Sequence, residues 1–218
     1  MKVSPLDYIL STIIMLPLWI ISGIISFKIL SPFLFKHIDY YSYIVTSLSF
    51  LIFYGLFSAA VLRILLVVKP ILTGEFDMDH PNFIYWKLLK MITEFGMKTL
   101  FILRFAPFEP ILYFLFGCRI GKNVAIGGII DSPFLVSIGD NSIIGQGSIV
   151  SGDYVLNNKL VIGNVNIGQR VTIGVNCLIL PNNFIKDGVL VSPGSVLLSH
   201  SEVGENETWK GNPARKWL

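Results

Sequence analysis

From Ile120 onward an apolar residue followed by glycine recurs at six-residue spacing: Ile120-Gly121, Ile126-Gly127, Ile138-Gly139, Ile144-Gly145, Ile167-Gly168 and Ile173-Gly174. The apolar position continues at Ile179, Ile185, Val191, Leu197 and Val203. A period this short means one small unit stacked many times, and hexapeptide repeats stack as a parallel β-helix. Three hexads make one turn of the left-handed form, so the stretch from Gly117 to Gly204 supplies about four to five turns. The residue before each glycine then points inward, and the glycines, with Asn141, Asn164 and Asn176 nearby, suit sharp corners. Two interruptions stand out. Ser132 occupies an expected apolar slot, which predicts a bulge at Asp131-Ser132-Pro133. From Val150 to Val161 the spacing falls one residue short of two hexads, so a loop or skipped corner absorbs the phase error.

The front of the chain obeys a different rule. Of the 218 residues, 53% are hydrophobic and only 14% charged, above the usual balance for a soluble domain. The excess lies in two uncharged runs, Tyr8 to Phe27 and Tyr41 to Leu62. Each has the ~20 residues needed to cross a hydrocarbon core as a helix. A cleaved signal peptide competes for the first run, but its basic start is only Lys2 and no convincing small-residue cleavage site follows. Pro17 inside the first span is tolerated in membrane helices. Arg63, Lys69, Lys87, Lys90 and Lys98 follow the second span, against Lys28, Lys36 and His37 in the linker. That bias predicts an integral membrane protein with both termini and the β-helix on the cytoplasmic side.

A net charge of +3 gives no ground for nucleic-acid binding. Between Pro81 and Phe116, Lys87, Lys90, Lys98 and Arg104 outnumber Glu94 and Glu109, which fits attraction to anionic headgroups. Cys118 and Cys177 show no metal or redox spacing and read as buried, reduced thiols.

Three segments follow: a helical hairpin over 1–73, a loop and amphipathic helices over 74–116, and the β-helix with its tail over 117–218. Gly74 to Pro81 reads as a loop, with Asp79 capping a helix that begins near Pro81. In that helix Lys87, Lys90, Glu94 and Lys98 share one face, while Phe83, Ile84, Leu88, Met91, Ile92, Phe95 and Leu103 cover the rest. A wide apolar face with a narrow basic stripe predicts a helix lying in the membrane interface; a core helix packed on the β-helix is the alternative. Pro107 and Pro110 end it, and Ile111 to Phe116 is expected to plug the first end of the β-helix. The predicted fold class is therefore an all-β left-handed parallel β-helix preceded by two transmembrane helices and an interfacial amphipathic helix.

The hexads, together with Phe116-Gly117-Cys118-Arg119-Ile120-Gly121 and the ending Trp209-Lys210-Gly211-Asn212-Pro213-Ala214-Arg215, resemble the hexapeptide-repeat acyltransferases. More narrowly the chain looks like the membrane-associated hexapeptide modules that terminate certain nonribosomal peptide synthetases. The resemblance covers Gly74 to Leu218. It implies a homotrimer with active sites at subunit boundaries, acetyl-CoA or another acyl-CoA as co-substrate, and a histidine as general base. A zinc site of the carbonic anhydrase kind needs three histidines; the repeats hold one, so no metal is expected. No Gly-rich phosphate loop precedes the repeats to suggest nucleotidyl transfer.

Of His37, His80 and His200, only His200 falls among the repeats. Counting back from Ile162-Gly163-Asn164-Val165-Asn166-Ile167-Gly168 by the family's spacing puts Asp153 where its histidine belongs. An aspartate, with an ordinary pKa of about 3.9, needs a perturbing environment to act as a base near neutrality; otherwise it turns or caps the loop. His200, with Glu202 placed to orient its ring, is the second candidate base, and a surface turn residue is its plainer role. Tyr154, beside Asp153, holds substrate or covers a neighbouring face. Lys186, Lys210, Gly211, Asn212, Pro213, Ala214, Arg215 and Lys216 lie where the resemblance places CoA and its phosphates. The expected activity is transfer of an acyl group, with acetyl the expected one, to a hydroxyl or amine of a membrane-proximal acceptor such as a glycan precursor. The alternative, motivated by Asp153, is a non-catalytic scaffold or accessory subunit of a membrane complex.

Overall fold

The computed structural model describes residues 5–100 and 107–217, with side chains from Ile9 onward; Lys2, Leu103 and Arg104 lie outside the described residues. Two units emerge, one from the helices up to Pro70 with the helix from Ile84, the other from 71–83 and the residues after 106.

In the helical unit α1 (Pro5–Gly23) continues through a π-helical segment (Ile24–Leu30) into α2 (Ser31–Ile38), a short 3-10 turn and α3 (Ser42–Val68). By length and composition alone, Ile9–Val68 is apolar enough to cross a membrane. α1 packs on α3: Trp19 meets Phe50 edge-on at 5.8 Å, and the Tyr54 hydroxyl donates to the Met15 sulfur at 3.3 Å. The helix α4 (Pro81–Thr99) joins this unit from Ile84 onward. Its Tyr85 hydroxyl lies 3.0 Å from the Leu65 carbonyl and 2.6 Å from that of Lys69, satisfying the open C-terminal end of α3. Leu89 and Ile92 are buried, and Glu94 and Lys98 pair on the exposed side at 2.5 Å. Capping differs from expectation. His80, rather than Asp79, accepts the Asn82 N–H, through Nδ1 at 3.1 Å.

The second unit is a three-faced parallel β-helix. Its first face stacks β2 (Arg119–Ile120), β5 (Val136–Ile138), β10 (Val165–Ile167), β13 (Asn183–Ile185) and β16 (Glu202–Val203). The second stacks β3 (Ala125–Ile126), β6 (Ile143–Ile144), β11 (Thr172–Ile173), β14 (Leu190–Val191) and β17 (Thr208–Gly211). The third stacks β4 (Ile129–Asp131), β7 (Ile149–Ser151), β12 (Leu178–Ile179) and β15 (Val196–Leu197). Ile120, Ile138, Ile167, Ile185 and Val203 stand in register down the first face. Buried interior rungs such as Ile144, Ile173 and Val191 each stabilise by roughly 1.5–3 kcal/mol over exposure. Across the first end lies α5 (Glu109–Leu115), with Leu112, Tyr113 and Phe116 buried and the Tyr113 hydroxyl accepting the Ile130 N–H at 3.2 Å. The other end is closed by β18 (Ala214–Trp217), antiparallel to β17.

The repeat glycines act differently from expectation. Those that follow the inward isoleucines let coils approach: a Cβ on Gly139 or Gly145 would sit 2.6 Å from the backbone of Gly168 or Gly174. Left-handed angles occur instead further along each corner. One corner stacks Asn123, Asn141, Arg170, Gly188 and Asn206; others use Asn176, Asn182 and His200. Asn164 is not among them.

Both interruptions have physical explanations. Ile130, rather than residue 132, pairs with Val150 on the third face, and Ser132 turns the corner in the left-handed region at φ 56°. The eleven-residue slip is an antiparallel hairpin, β8 (Asp153–Leu156) and β9 (Lys159–Ile162), turning at Asn157-Asn158. Val161 therefore belongs to the hairpin, and the coils resume at Val165. At the hairpin's base the Gly163 N–H donates to the Gly152 carbonyl at 2.8 Å. A third strand, β1 (Gly74–Asp77), pairs with β9 where the sequence suggested only a loop.

Candidate functional site

Asp153 opens the inserted hairpin and is only 5% exposed. Its Oδ2 accepts the Ser132 hydroxyl. Ser151 Oγ lies 2.6 Å from the Asp153 carbonyl and 3.1 Å from Asp131 Oδ2. A hydroxyl has one proton to give, so Ser151 donates to one of these at a time. Two carboxyl groups and two serines thus knit the root of the hairpin to the corner of the preceding coil. Tyr154, next along the strand, is half-buried. This cluster suits a fixed joint, and it suits a base only where an acceptor can enter.

His200 is placed quite differently. Its ring is exposed in a groove of about 700 Å³ that is also lined by Lys186, Phe184, Asn182, Glu202 and Glu207. Each strand supplies its piece through the coil register: Phe184 stands beside Glu202 on the first face, and the His200 N–H donates to the Asn182 carbonyl at 3.2 Å. The ring partner is Asn182, whose Nδ2 is 3.5 Å from Nε2, rather than Glu202. The backbone of His200, at φ 62°, is left-handed, a region in which histidine is enriched along with asparagine.

The terminal hairpin carries the other candidate residues. Lys210 and Arg215 stand opposite each other on β17 and β18, and the turn between them contains Gly211, Asn212 and cis-Pro213. The Gly211 N–H donates to Ser195 Oγ at 3.1 Å, Ala214 is buried, and Lys210 Nζ lies 4.6 Å over the Trp217 ring. Lys216 is engaged elsewhere, with Nζ 2.7 Å from Glu207 Oε1. The Lys216 hydrogen bond, then those from Trp209 Nε1 and the Gly204 N–H, pull the Glu207 carboxyl down from 4.5 to about 2.

Lys186 and His200 are therefore brought together, as are Lys210 and Arg215; Asp153 does not line the groove. Sequence reasoning missed Asn182, which precedes His200 by one coil, and so had a signal in the same period. It also missed Ser132, Ser151 and Asp131 as partners of Asp153, and Phe184 as an exposed groove wall. Burial pushes the Cys118 thiol up to about 12 and raises that of Cys177; neither is a nucleophile in waiting. Among the described residues no three His, Cys, Asp or Glu side chains converge as a metal site.

No protein-family model matches the chain. YvoF of Bacillus subtilis, which is named as an acetyltransferase, is 31% identical over 135 residues, 58% of this chain and 76% of that relative. The delta-poly-L-ornithine synthetase of Acinetobacter baumannii is 26% identical over 126 residues, 56% of this chain. The chain spans only 9% of that synthetase. Among solved structures, a galactoside acetyltransferase in complex with coenzyme A is 18% identical with a TM-score of 0.47, covering 67% of this chain and 86% of that one. A hexapeptide-repeat acetyltransferase of Vibrio cholerae is 22% identical with a TM-score of 0.42, covering 48% of this chain and 64% of that one.

Proposed function

The chain belongs to the hexapeptide-repeat acyltransferases, and from that premise we propose that it is a membrane-anchored, trimeric acetyltransferase acting on a hydroxyl or amine of a membrane-proximal acceptor. One observation carries the proposal: Lys186 and His200 face a common open groove. In it the exposed His200 ring takes the acceptor's proton as that oxygen or nitrogen attacks the thioester carbonyl. Collapse of the tetrahedral intermediate breaks the C–S bond, and the departing CoA thiolate recovers the proton from the imidazolium. Lys186, and the Lys210–Arg215 pair beside the Gly211 to Ala214 turn, are assigned to the CoA phosphates. Like charges directly opposite on two strands repel, and an anion lying across them relieves that cost. Asp153 is assigned as the pin of the hairpin.

Support for the trimer comes from an outward apolar ladder on the third face, Ile129 beside Ile149 and Leu178 beside Val196, where a solvent-facing β-helix ordinarily carries polar residues. The bilayer is supported by the helical stretch Ile9–Val68, with the β-helix on the cytoplasmic side where CoA is. Burial of Asp153 also favours a second reading, a scaffold without catalysis.

Titration with acetyl-CoA and release of its free thiol separate these. His200→Asn keeps a residue suited to the left-handed corner, so binding should persist while turnover falls ~10²–10⁴-fold, the usual worth of a general base. Unchanged turnover in His200→Asn, with loss in Asp153→Asn of unaltered thermal stability, would transfer the base to Asp153. Stable protein that neither binds nor cleaves acetyl-CoA would establish the scaffold.

A further inference from the structure

We propose that the helical hairpin carries a binding groove for one anionic phospholipid, a site that rests on the bilayer placement proposed above. A groove of about 600 Å³ runs along the seam of α1, the π-helical segment and α3, lined by Trp19, Gly23, Phe27, Lys28, Phe50 and Leu51. Its size is within the roughly 300–1,000 Å³ of ordinary ligand sites. Trp19, Gly23 and Phe27 succeed one another at four-residue spacing, about 12 Å of helix at 1.5 Å per residue. Their rings form its walls: Trp19 stands edge-on to Phe50 at 5.8 Å and Phe27 is tilted against it at 6.1 Å. Both Trp19 and Phe27 remain more than half exposed, at 58% and 53%.

Lys28 sits at the end of this slot nearest the turn of the hairpin. It is exposed and forms no ion pair with any described residue. The groove is therefore apolar along its length with one uncompensated cation at its end, complementary to a hydrocarbon chain that bears an anionic headgroup. A zwitterionic headgroup brings its own cation against Lys28. An apolar partner helix would fill the slot but strand the ammonium in hydrocarbon, which is costly. Gly23 keeps the floor open, since a Cβ there would meet nothing closer than Phe50 at 4.0 Å. Lys28 also lies in a π-helical segment, a distortion found frequently at functional sites.

The test uses the full chain in phosphatidylcholine vesicles doped with brominated phosphatidylglycerol or, at equal mole fraction, brominated phosphatidylcholine. Quenching at Trp19 is read as the difference from Trp19→Phe. Brominated phosphatidylglycerol should quench about fivefold more effectively, the ratio equivalent to ~1 kcal/mol for one lysine facing an anionic surface. Lys28→Gln and the groove-filling Gly23→Leu should each abolish that preference. Equal quenching by both lipids, or a preference that survives both variants, overturns the site while leaving the hairpin in the bilayer. Quenching by neither lipid overturns the bilayer placement and the site together.

Discussion

The helical hairpin and the β-helix both bury serines, but the β-helix turns most of its large aliphatic residues inward and the hairpin turns most of them outward. In the β-helix the interior is a stack of Ile, Val and Leu, and its corners carry Asn, Asp and Gly. In the hairpin the inner seam holds Ser22, Ser26, Ser42, Thr46 and Ser58 among its apolar residues, while Ile13 and Val67 are 63% and 81% exposed. The Ser22 and Ser58 hydroxyls return to the carbonyl one turn earlier, at 2.7 and 2.8 Å, while those of Ser26, Ser42 and Thr46 have no partner among the described residues. Small and hydroxylated residues at helix contacts with large aliphatic residues outside are what packing in lipid favours. The outward aliphatic face of the hairpin is the ground for the proposed anchoring.

The largest effect is expected from truncating one rung of the core. Ile173→Ala should cost ~2–5 kcal/mol, seen as a lowered thermal midpoint in detergent. Ile64→Ala, on the exposed side of α3, should stay within ~0.5 kcal/mol, and equal losses would mean that the outer face of α3 is packed against protein. Next is a charge placed on the outside. Leu56→Arg, midway along α3, should carry a penalty of ~2.5–3.5 kcal/mol in a bilayer and reduce recovery in the membrane fraction. Leu198→Arg on the β-helix should not, and undiminished recovery of Leu56→Arg would remove the anchoring proposal.

A third contrast sets one glycine of each region side by side. Gly145→Ala drives a methyl onto the backbone of Gly174 and should destabilise by ~1–3 kcal/mol, the usual cost of overpacking. Gly23→Ala meets open space in a helix, and should stabilise by ~0.4–1 kcal/mol. Paired chemical denaturation curves check both signs. Smallest is a pH effect at the closing hairpin. Because the folded Glu207 carboxyl is held near 2 rather than 4.5, its contribution is complete above about 4.5 and disappears as pH falls through about 2. The Trp209 emission should therefore change over that window and not in Glu207→Gln; identical titrations would mean that Glu207 does not hold the indole.

Much of the β-helix was readable because its inward residues repeat at a fixed interval. What escaped was set by contacts outside that interval. A two-residue shift to Ile130 hid the corner that puts Ser132 on Asp153, and a spacing error does not by itself distinguish a loop from a hairpin turning at Asn157-Asn158. Lys186 and His200 meet through strand register, which the period implies but which had to be counted from Asn182. The position of Asp153 is legible from spacing, whereas its partners are serines from two neighbouring coils. The capping of α4 by His80 rather than Asp79 was a local choice between adjacent side chains, and preference alone chose wrongly.

The pairing of Gly74 with Ile162 imposes an order of assembly. Each coil finds its neighbour within a short stretch of newly made chain, whereas β1 must wait for a partner almost ninety residues later. Closing a loop about five times longer adds roughly 1.4 kcal/mol of entropic cost, so the strand nearest the N-terminus joins its sheet only after two coils have been synthesised. Until then the segment leaving α3 lacks its sheet partner, and β9, the second strand of the inserted hairpin, is what fastens it.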